Sequence, residues 1–179
     1  MDFLERQEKV LRSNYQYRFA YGLIPALTIL LASCVSSTST PLILNQLHVS
    51  NQCGSHQQAT LTIINDQDKL RKTFDSLHRT TMGQGTEPPT VNFKKYFVLQ
   101  IEMGQKPTAG YSITIDKPSA SLIDDKLVIK TNWQEPIQGH QLPQVITNPC
   151  LIVRVPVIKF KSIRVLDQGD KERVNYPMR

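Results

Sequence analysis

Residues 96–103 of this 179-residue chain are YFVLQIEM, an apolar start followed by alternating polar and apolar side chains. The alternation returns in YSITI (111–115), LVIKTNW (127–133), LIVRV (151–155) and SIRVL (162–166). Such alternation predicts strands with one buried face. Many short strands with turn signals between them predict a mainly β fold, either an antiparallel β-sandwich or an open barrel.

The preceding part of the chain predicts two further strands and one helix. The strands are 42–50 (LILNQLHVS) and 58–64 (QATLTII). Asn65 is a good N-cap residue, and the helix should end near Arg79. Its apolar residues recur at the spacing of one helical face: Leu70, Phe74 and Leu77. We expect this face to seal one edge or end of a sheet.

The domain organisation follows from composition. Residues 80–93 (TTMGQGTEPPTVNF) are rich in Gly, Pro and Thr and predict a loop. Residues 42–79 alone are too few to bury a core, so 42–168 should form a single β-rich domain. The polar residues 169–179 are expected to form a flexible tail.

The N-terminal 33 residues have the features of a lipoprotein signal peptide. Residues 19–33 carry no charge but are too short for a membrane-spanning helix, and Pro25 interrupts them. They end in Leu31-Ala32-Ser33-Cys34, which resembles a bacterial lipobox. Cys34 would carry covalent lipid, with 34–41 as a tether, in the cell envelope and at the outer membrane of a Gram-negative organism. The alternative is a signal anchor with an incidental cysteine.

Two cysteines remain after Cys34. Cys53 and Cys150 can form a disulfide in an oxidising compartment, or stay as buried thiols. Cys53 and His56 could form half of a metal site, but no second Cys/His pair stands at ligand spacing. The other histidines are scattered, so we expect no metal site.

Charge favours an anionic partner other than nucleic acid. Residues 1–33 contribute four basic and three acidic side chains to the net charge of +6, which leaves +5 on the rest. That surplus is spread along the chain without a run of five like charges, unlike a nucleic-acid-binding segment.

Motifs of catalysis are absent from the sequence. It contains no nucleophile elbow, phosphate loop or dinucleotide fingerprint. Asp124-Asp125 are adjacent, so on a strand they would point to opposite faces; we interpret them as a turn. We therefore expect a protein that is not an enzyme and has no cofactor beyond the lipid on Cys34.

Two segments carry a family resemblance. Residues 104–113 are GQKPTAGYSI and 148–156 are NPCLIVRVP. Together with 93–103 they resemble the C-terminal domain of the protease-complex subunit PrcB family over about residues 93–160. That family favours Gly where this chain has Ala109. The resemblance implies a lipid-attached accessory factor that binds a protein partner and assists a surface protease.

The same loop is also similar to one in chagasin-type cysteine protease inhibitors, which have an immunoglobulin-like sandwich. Six residues would form a partner-binding loop: Lys106, Pro107, Thr108, Ala109, Gly110 and Tyr111. Residues 134–147 (QEPIQGHQLPQVIT) could form a second loop. The alternatives to an accessory subunit are thus a chagasin-like inhibitor and a binder of an anionic envelope ligand. On sequence alone an ordinary hairpin accounts better for the residues 104–111.

Overall fold

The computed structural model describes residues 39–80, 87–115, 120–137, 139 and 141–178. One helix, α1 (Gln67–Thr80), lies between the third and fourth strands. The strands in chain order are β1 (Ser39–Leu42), β2 (Asn45–Ser50), β3 (Thr60–Ile64), β4 (Tyr96–Glu102), β5 (Ser112–Thr114), β6 (Ala120–Ile123), β7 (Lys126–Lys130), β8 (Asn132–Gln134), β9 (Cys150–Pro156), β10 (Ser162–Leu166) and β11 (Glu172–Pro177).

The strands form two main sheets and a small one. The first sheet has the order β1-β6-β7-β10-β11, the second β2-β9-β4-β3, and β5 pairs with β8 alone. None of these sheets closes into a barrel within the described residues. All named pairs are antiparallel except β7 and β10, which run parallel. The predicted mainly β sandwich is therefore confirmed, with one parallel pair that the sequence did not predict.

The main core lies between the two large sheets. From β9, Leu151, Val153 and Val155 point into this core, where Leu127 and Ile163 of the other sheet meet them. All five side chains are fully buried. Because successive side chains of a strand face opposite ways, the remaining residues of β9 must be covered on the other side.

Helix α1 supplies that cover. Leu70, Phe74 and Leu77 pack in a second core with Ile152 of β9 and Val98 of β4. The helix thus covers the outer face of the four-stranded sheet, and the expectation that it seals an edge or end was wrong. The reason is that the outer faces of β4 and β9 also carry apolar side chains, Val98 and Ile152, which the helix buries.

The helix begins one residue later than the cap prediction. The carboxylate of Asp66 accepts a hydrogen bond from the backbone N–H of Lys69 (2.7 Å), so Asp66 is the N-cap. That backbone hydrogen bond, foremost among several contacts, lowers the pKa of Asp66. Asn65, the predicted cap, instead accepts a hydrogen bond from the Lys69 ammonium (3.0 Å).

In three parts of the chain the structure differs from the prediction. Segment 127–133 is divided between β7 and β8 at Thr131, whose N–H donates to the Leu166 carbonyl. The expected flexible tail contains β11, which pairs with β10 along its length. The expected tether overlaps β1, because Ser39 pairs with Ile123 of β6. In the last two cases backbone pairing orders residues that lack an apolar pattern.

The two ends of the sandwich differ. One, which we call the loop end, carries the β4–β5 connection (103–111) and the β8–β9 connection (135–149). The other, the hairpin end, carries the β6–β7 turn at Asp124 and Asp125, whose φ angles of 48° and 59° suit a two-residue hairpin. This confirms the turn. Among the described residues no helix has the length and hydropathy to cross a membrane; Cys34 and the signal segment lie outside those residues.

Candidate functional site at the loop end

Two connections lie side by side at the loop end. Lys106 and Thr147 exchange both backbone hydrogen bonds (2.7 and 2.9 Å). The N–H of Ala109 donates to the Pro143 carbonyl (3.1 Å), and the Thr147 hydroxyl donates to the Thr108 carbonyl (3.1 Å). The structure therefore brings together the two segments that the sequence analysis named as candidate loops.

Within the 106–111 loop the side chains support each other. The Lys106 ammonium lies 5.5 Å from the centre of the Tyr111 ring, a cation–π distance. Pro107, Thr108 and Ala109 form a bend. Gly110 has φ 91°, a conformation that favours glycine. This loop is a braced structure rather than a simple two-strand hairpin, because its partner is the distant 143–147 segment.

The close approach of two backbone segments explains why position 104 is a glycine. Gly104 has φ 75°, and a Cβ atom there would lie 2.5 Å from the carbonyl carbon of Gln58. Any larger residue would push apart the 103–111 connection and the segment 51–58. Gln105 also donates its N–H to the His56 carbonyl (2.9 Å). The segment 51–58 is thus a third component of the loop end.

A disulfide and a buried carboxylate hold this third segment. Cys53 and Cys150 are joined as a disulfide, with their Cα atoms 5.7 Å apart, a distance typical of disulfides. Glu102 lies opposite Cys150 in the sheet and is 1% exposed. Its carboxylate contacts Nδ1 of His56 (3.1 Å) and accepts hydrogen bonds from the amides of Gln100 (3.0 Å) and Asn148 (3.3 Å).

Sequence reasoning missed this polar cluster. Gln100 and Glu102 occupy alternate positions of a strand whose other residues are apolar. Alternation alone suggests a solvent-facing side, but the 51–58 segment covers that side. The sequence carries no signal for this cluster, because only the pairing of β4 with β9 and the Cys53–Cys150 disulfide bring the 51–58 segment over Glu102.

Three aliphatic side chains are exposed at the loop end. Ile137, Val145 and Ile146 expose 75%, 48% and 63% of their surfaces. All three lie in the β8–β9 connection, and Gln52 donates from its side chain to the Ile146 carbonyl (3.1 Å). Aliphatic side chains displayed on a braced backbone are typical of a protein-binding surface rather than of a reaction centre.

In the described ranges no group of three or more His, Cys, Asp or Glu side chains could hold a metal ion. Nδ1 of His56 lies 3.1 Å from the Glu102 carboxylate, so these two side chains are paired with each other.

The fold and the loop end together define a class: a β-sandwich domain that presents braced loops. Within it, residues 97–156, from β4 to β9, match the family model described as PrcB C-terminal. This confirms the predicted resemblance over about a third of the chain. At the level of that family, the match suggests an accessory domain associated with a protease complex. Comparison with curated proteins gives no match, and neither does comparison with solved structures.

Proposed function

We propose that this chain is a lipid-anchored envelope protein that binds a protein partner as the accessory subunit of a protease complex. The observation that carries the proposal is the apolar surface of Ile137, Val145 and Ile146, which lies inside the matched region 97–156. The loop 106–111 borders that surface through its hydrogen bonds to 143–147. Exposed aliphatic side chains on a fixed backbone lose little entropy on binding, which favours association.

Lipid on Cys34 is the anchor in this proposal. The support is the apolar segment 19–33 followed by Cys34, with Leu31, Ala32 and Ser33 before the cysteine. Attachment would place the domain in the cell envelope, at the outer membrane in a Gram-negative organism. Mass spectrometry of the mature protein tests this directly: a chain that begins at Cys34 with added acyl mass is expected, whereas an uncleaved N-terminus would contradict the anchor.

The partner surface can be tested with matched substitutions. The double variant Val145→Asp/Ile146→Asp places two charges on the loop end. Ile43→Asp is the control, because Ile43 is 66% exposed but precedes Asn45, which pairs with Arg154 towards the hairpin end. Both variants should fold as the wild type does, since the three residues are exposed. A photo-crosslinker at residue 144, an exposed position beside Val145, reports the partner.

The expected result is a cross-link from solubilised membranes to a secreted protease or to a protein bound to one. It should disappear in the double variant and persist in Ile43→Asp. Equal cross-linking in both variants, or cross-linking only to proteins unrelated to proteolysis, would contradict the proposed role.

Direct inhibition of a cysteine protease is a second candidate. The observation in its favour is the hydrogen bond from Ala109 to Pro143, which holds the two loops side by side. Such an inhibitor should block papain-like proteases at micromolar concentration and lose activity in Thr108→Ala. Absence of inhibition by the purified mature protein would eliminate it.

A further inference from the structure

The hairpin end carries a cluster of lysines. Lys94 and Lys95 precede β4, and Lys159 and Lys161 follow β9. Because β4 and β9 are antiparallel, these flanking segments meet: the N–H of Val157 donates to the Lys95 carbonyl (2.9 Å). All four lysines are exposed.

The same end includes the β6–β7 turn. The Lys161 N–H donates to the Asp125 carbonyl (2.7 Å), and its ammonium pairs with the Asp125 carboxylate (2.8 Å). Asp124 and Asp125 are the acidic residues of this turn, and Lys126 is a fifth exposed lysine. No acidic side chain of the described ranges pairs with Lys94, Lys95 or Lys159. The lysines therefore outnumber the carboxylates.

Apolar side chains stand among these lysines. Val157 is 56% exposed, and its neighbours along the chain and across the hydrogen bond include Lys159 and Lys95. Met178 is 44% exposed and donates its N–H to the Lys161 carbonyl (2.9 Å). Exposed lysines around aliphatic side chains suit the lipid interface, where ammonium groups meet anionic headgroups and apolar groups enter the acyl boundary.

The chain enters the domain at this end. Ser39 pairs with Ile123, the residue before the β6–β7 turn. Four residues, 35–38, separate Ser39 from Cys34. Even a fully extended chain spans roughly 18 Å between those two positions. Lipid on Cys34 would therefore keep the hairpin end close to the headgroups, where the attraction for lysine acts over a Debye length of about 8 Å.

We propose that the hairpin end rests on an anionic lipid surface, with Lys94, Lys95 and Lys159 against the headgroups and Val157 and Met178 at the interface. This inference depends on the proposed lipid anchor. It specifies the orientation of the anchored domain: the loop end, at the opposite end of the strands, faces away from the bilayer and towards its partner.

Lysine acetylation of the full chain tests the orientation. The lipidated chain is purified from membranes and reconstituted into phosphatidylcholine vesicles with or without phosphatidylglycerol. A neutral acetylating ester then labels the lysines, and peptide mass spectrometry gives the rate at each. Lys94, Lys95 and Lys159 should react about fivefold more slowly with phosphatidylglycerol present, the factor expected for one lysine at an anionic surface. The rates at Lys130 and Lys106, on the loop side, should not change.

A pair of matched variants separates lipid contact from general effects of the vesicles. Lys94→Gln/Lys95→Gln/Lys159→Gln should abolish the protection of Lys126, which remains at the hairpin end. The control Lys106→Gln/Lys130→Gln/Lys171→Gln alters three lysines on the loop side and should leave Lys126 protected. Equal rates at Lys126 in the two variants would overturn the inference.

Flotation distinguishes the two possible failures. A chain that does not float with either kind of vesicle has no functional anchor, so the proposed anchor and this inference both fail. A chain that floats, but whose hairpin-end lysines react equally fast on both kinds of vesicle, keeps its anchor while the proposed orientation is wrong.

Discussion

Glu102 brings a carboxylate into the interior of the domain, and its contacts make the loop end depend on one side chain. It touches His56 of the 51–58 segment and Asn148 of the β8–β9 connection. It also lies so close to Gly54 that a Cβ there would be 2.8 Å from its Oε2. Glu102 itself immediately precedes the 103–111 connection, so all three segments of the loop end meet at this residue.

Replacing Glu102 by alanine should cost about 2–3 kcal/mol of unfolding free energy, because buried donors lose their acceptor. Chemical denaturation followed by tryptophan fluorescence measures the loss, since Trp133 is 3% exposed in the native state. Glu87→Ala, at an exposed glutamate, is the control and should stay within about 0.5 kcal/mol of the wild type. Equal midpoints for the two variants would refute the structural role of Glu102.

Alanine substitutions at two glycines distinguish the cost of backbone strain from the cost of a steric contact. Gly110 and Gly139 have similar φ angles, 91° and 87°. A Cβ at Gly110 would approach Leu142 at 3.3 Å and Pro136 at 3.4 Å, whereas one at Gly139 meets nothing within 4 Å. Gly110→Ala should therefore destabilise more than Gly139→Ala, whose cost is backbone strain of about 1–3 kcal/mol. The two thermal midpoints test this, and equal values would show that the loop packing contributes nothing.

At the scale of elements, the strands show what a sequence pattern can and cannot predict. Strands β4, β9 and β10 were predicted to within one residue at each end, because buried alternating residues dominate their sequences. Strand β11 was missed: most of its residues are exposed, and its order comes from pairing with β10. The parallel β7–β10 pair was equally invisible, since pairing between distant strands leaves no local signal.

The same reasoning applies to the loop end. The two loops and the disulfide could be suspected from Gly, Pro and Cys residues, whereas their mutual contact could not. That contact requires 106–111 and 143–147 to meet across the end of a sheet, and only the register of β4 on β9 determines this. The apolar residues Val145 and Ile146 could not be recognised as exposed for the same reason.

Helix α1 gives a prediction at this scale. Phe74 is 1% exposed in the second core, which contains Ile152 and the Cys53–Cys150 disulfide. Phe74→Ala should cost about 3–5 kcal/mol, because a large cavity opens beneath the helix. Lys72→Ala on the exposed face of the same helix is the control and should cost little. A loss of similar size in both variants would show that burial of Phe74 does not stabilise α1.

Asp167, in the β10–β11 turn, makes the stability of the fold depend on pH. Burial opposes ionisation of Asp167, but hydrogen bonds from the Lys171 and Gly169 N–H groups and from the Arg173 guanidinium outweigh it and lower the pKa. A carboxyl with a lowered native pKa stabilises the fold fully above its unfolded pKa of about 3.9, and this contribution disappears as pH falls through the native value.

Asp167→Asn should therefore flatten the decline of stability below about pH 4. Asp75→Asn is the control, because Asp75 is exposed on α1. The free energy of unfolding is measured between neutral and acid pH in both variants. An unchanged acid slope in Asp167→Asn would show that other carboxyls govern acid unfolding.

At the scale of the whole molecule, the short connection between Cys34 and Ser39 is the feature with the widest effect. The predicted tether was 34–41, but β1 begins at Ser39. An added linker of about 20 Gly/Ser residues after Thr38 would let the domain leave the headgroups, since such linkers are flexible coils. Acetylation of Lys94 and Lys159 on phosphatidylglycerol vesicles should then rise towards the rate in detergent.

The control for this prediction is insertion of the same linker after Met178, near the other end of the chain. That insertion leaves the connection between Cys34 and Ser39 unchanged, so the acetylation rates at Lys94 and Lys159 should stay at their wild-type values. Equal rates in the two linker variants would show that the length of the connection does not hold the hairpin end at the headgroups.

The direction of β1 has a mechanical consequence. The strand enters at the hairpin end and runs towards the loop end, antiparallel to β6. A partner that pulls on the loop end while lipid retains the N-terminus would apply force along the strand axis. The β1–β6 hydrogen bonds would then be loaded in shear, and all of them would have to break together rather than one at a time. A domain anchored in the proposed way would therefore keep its first strand in place under such tension.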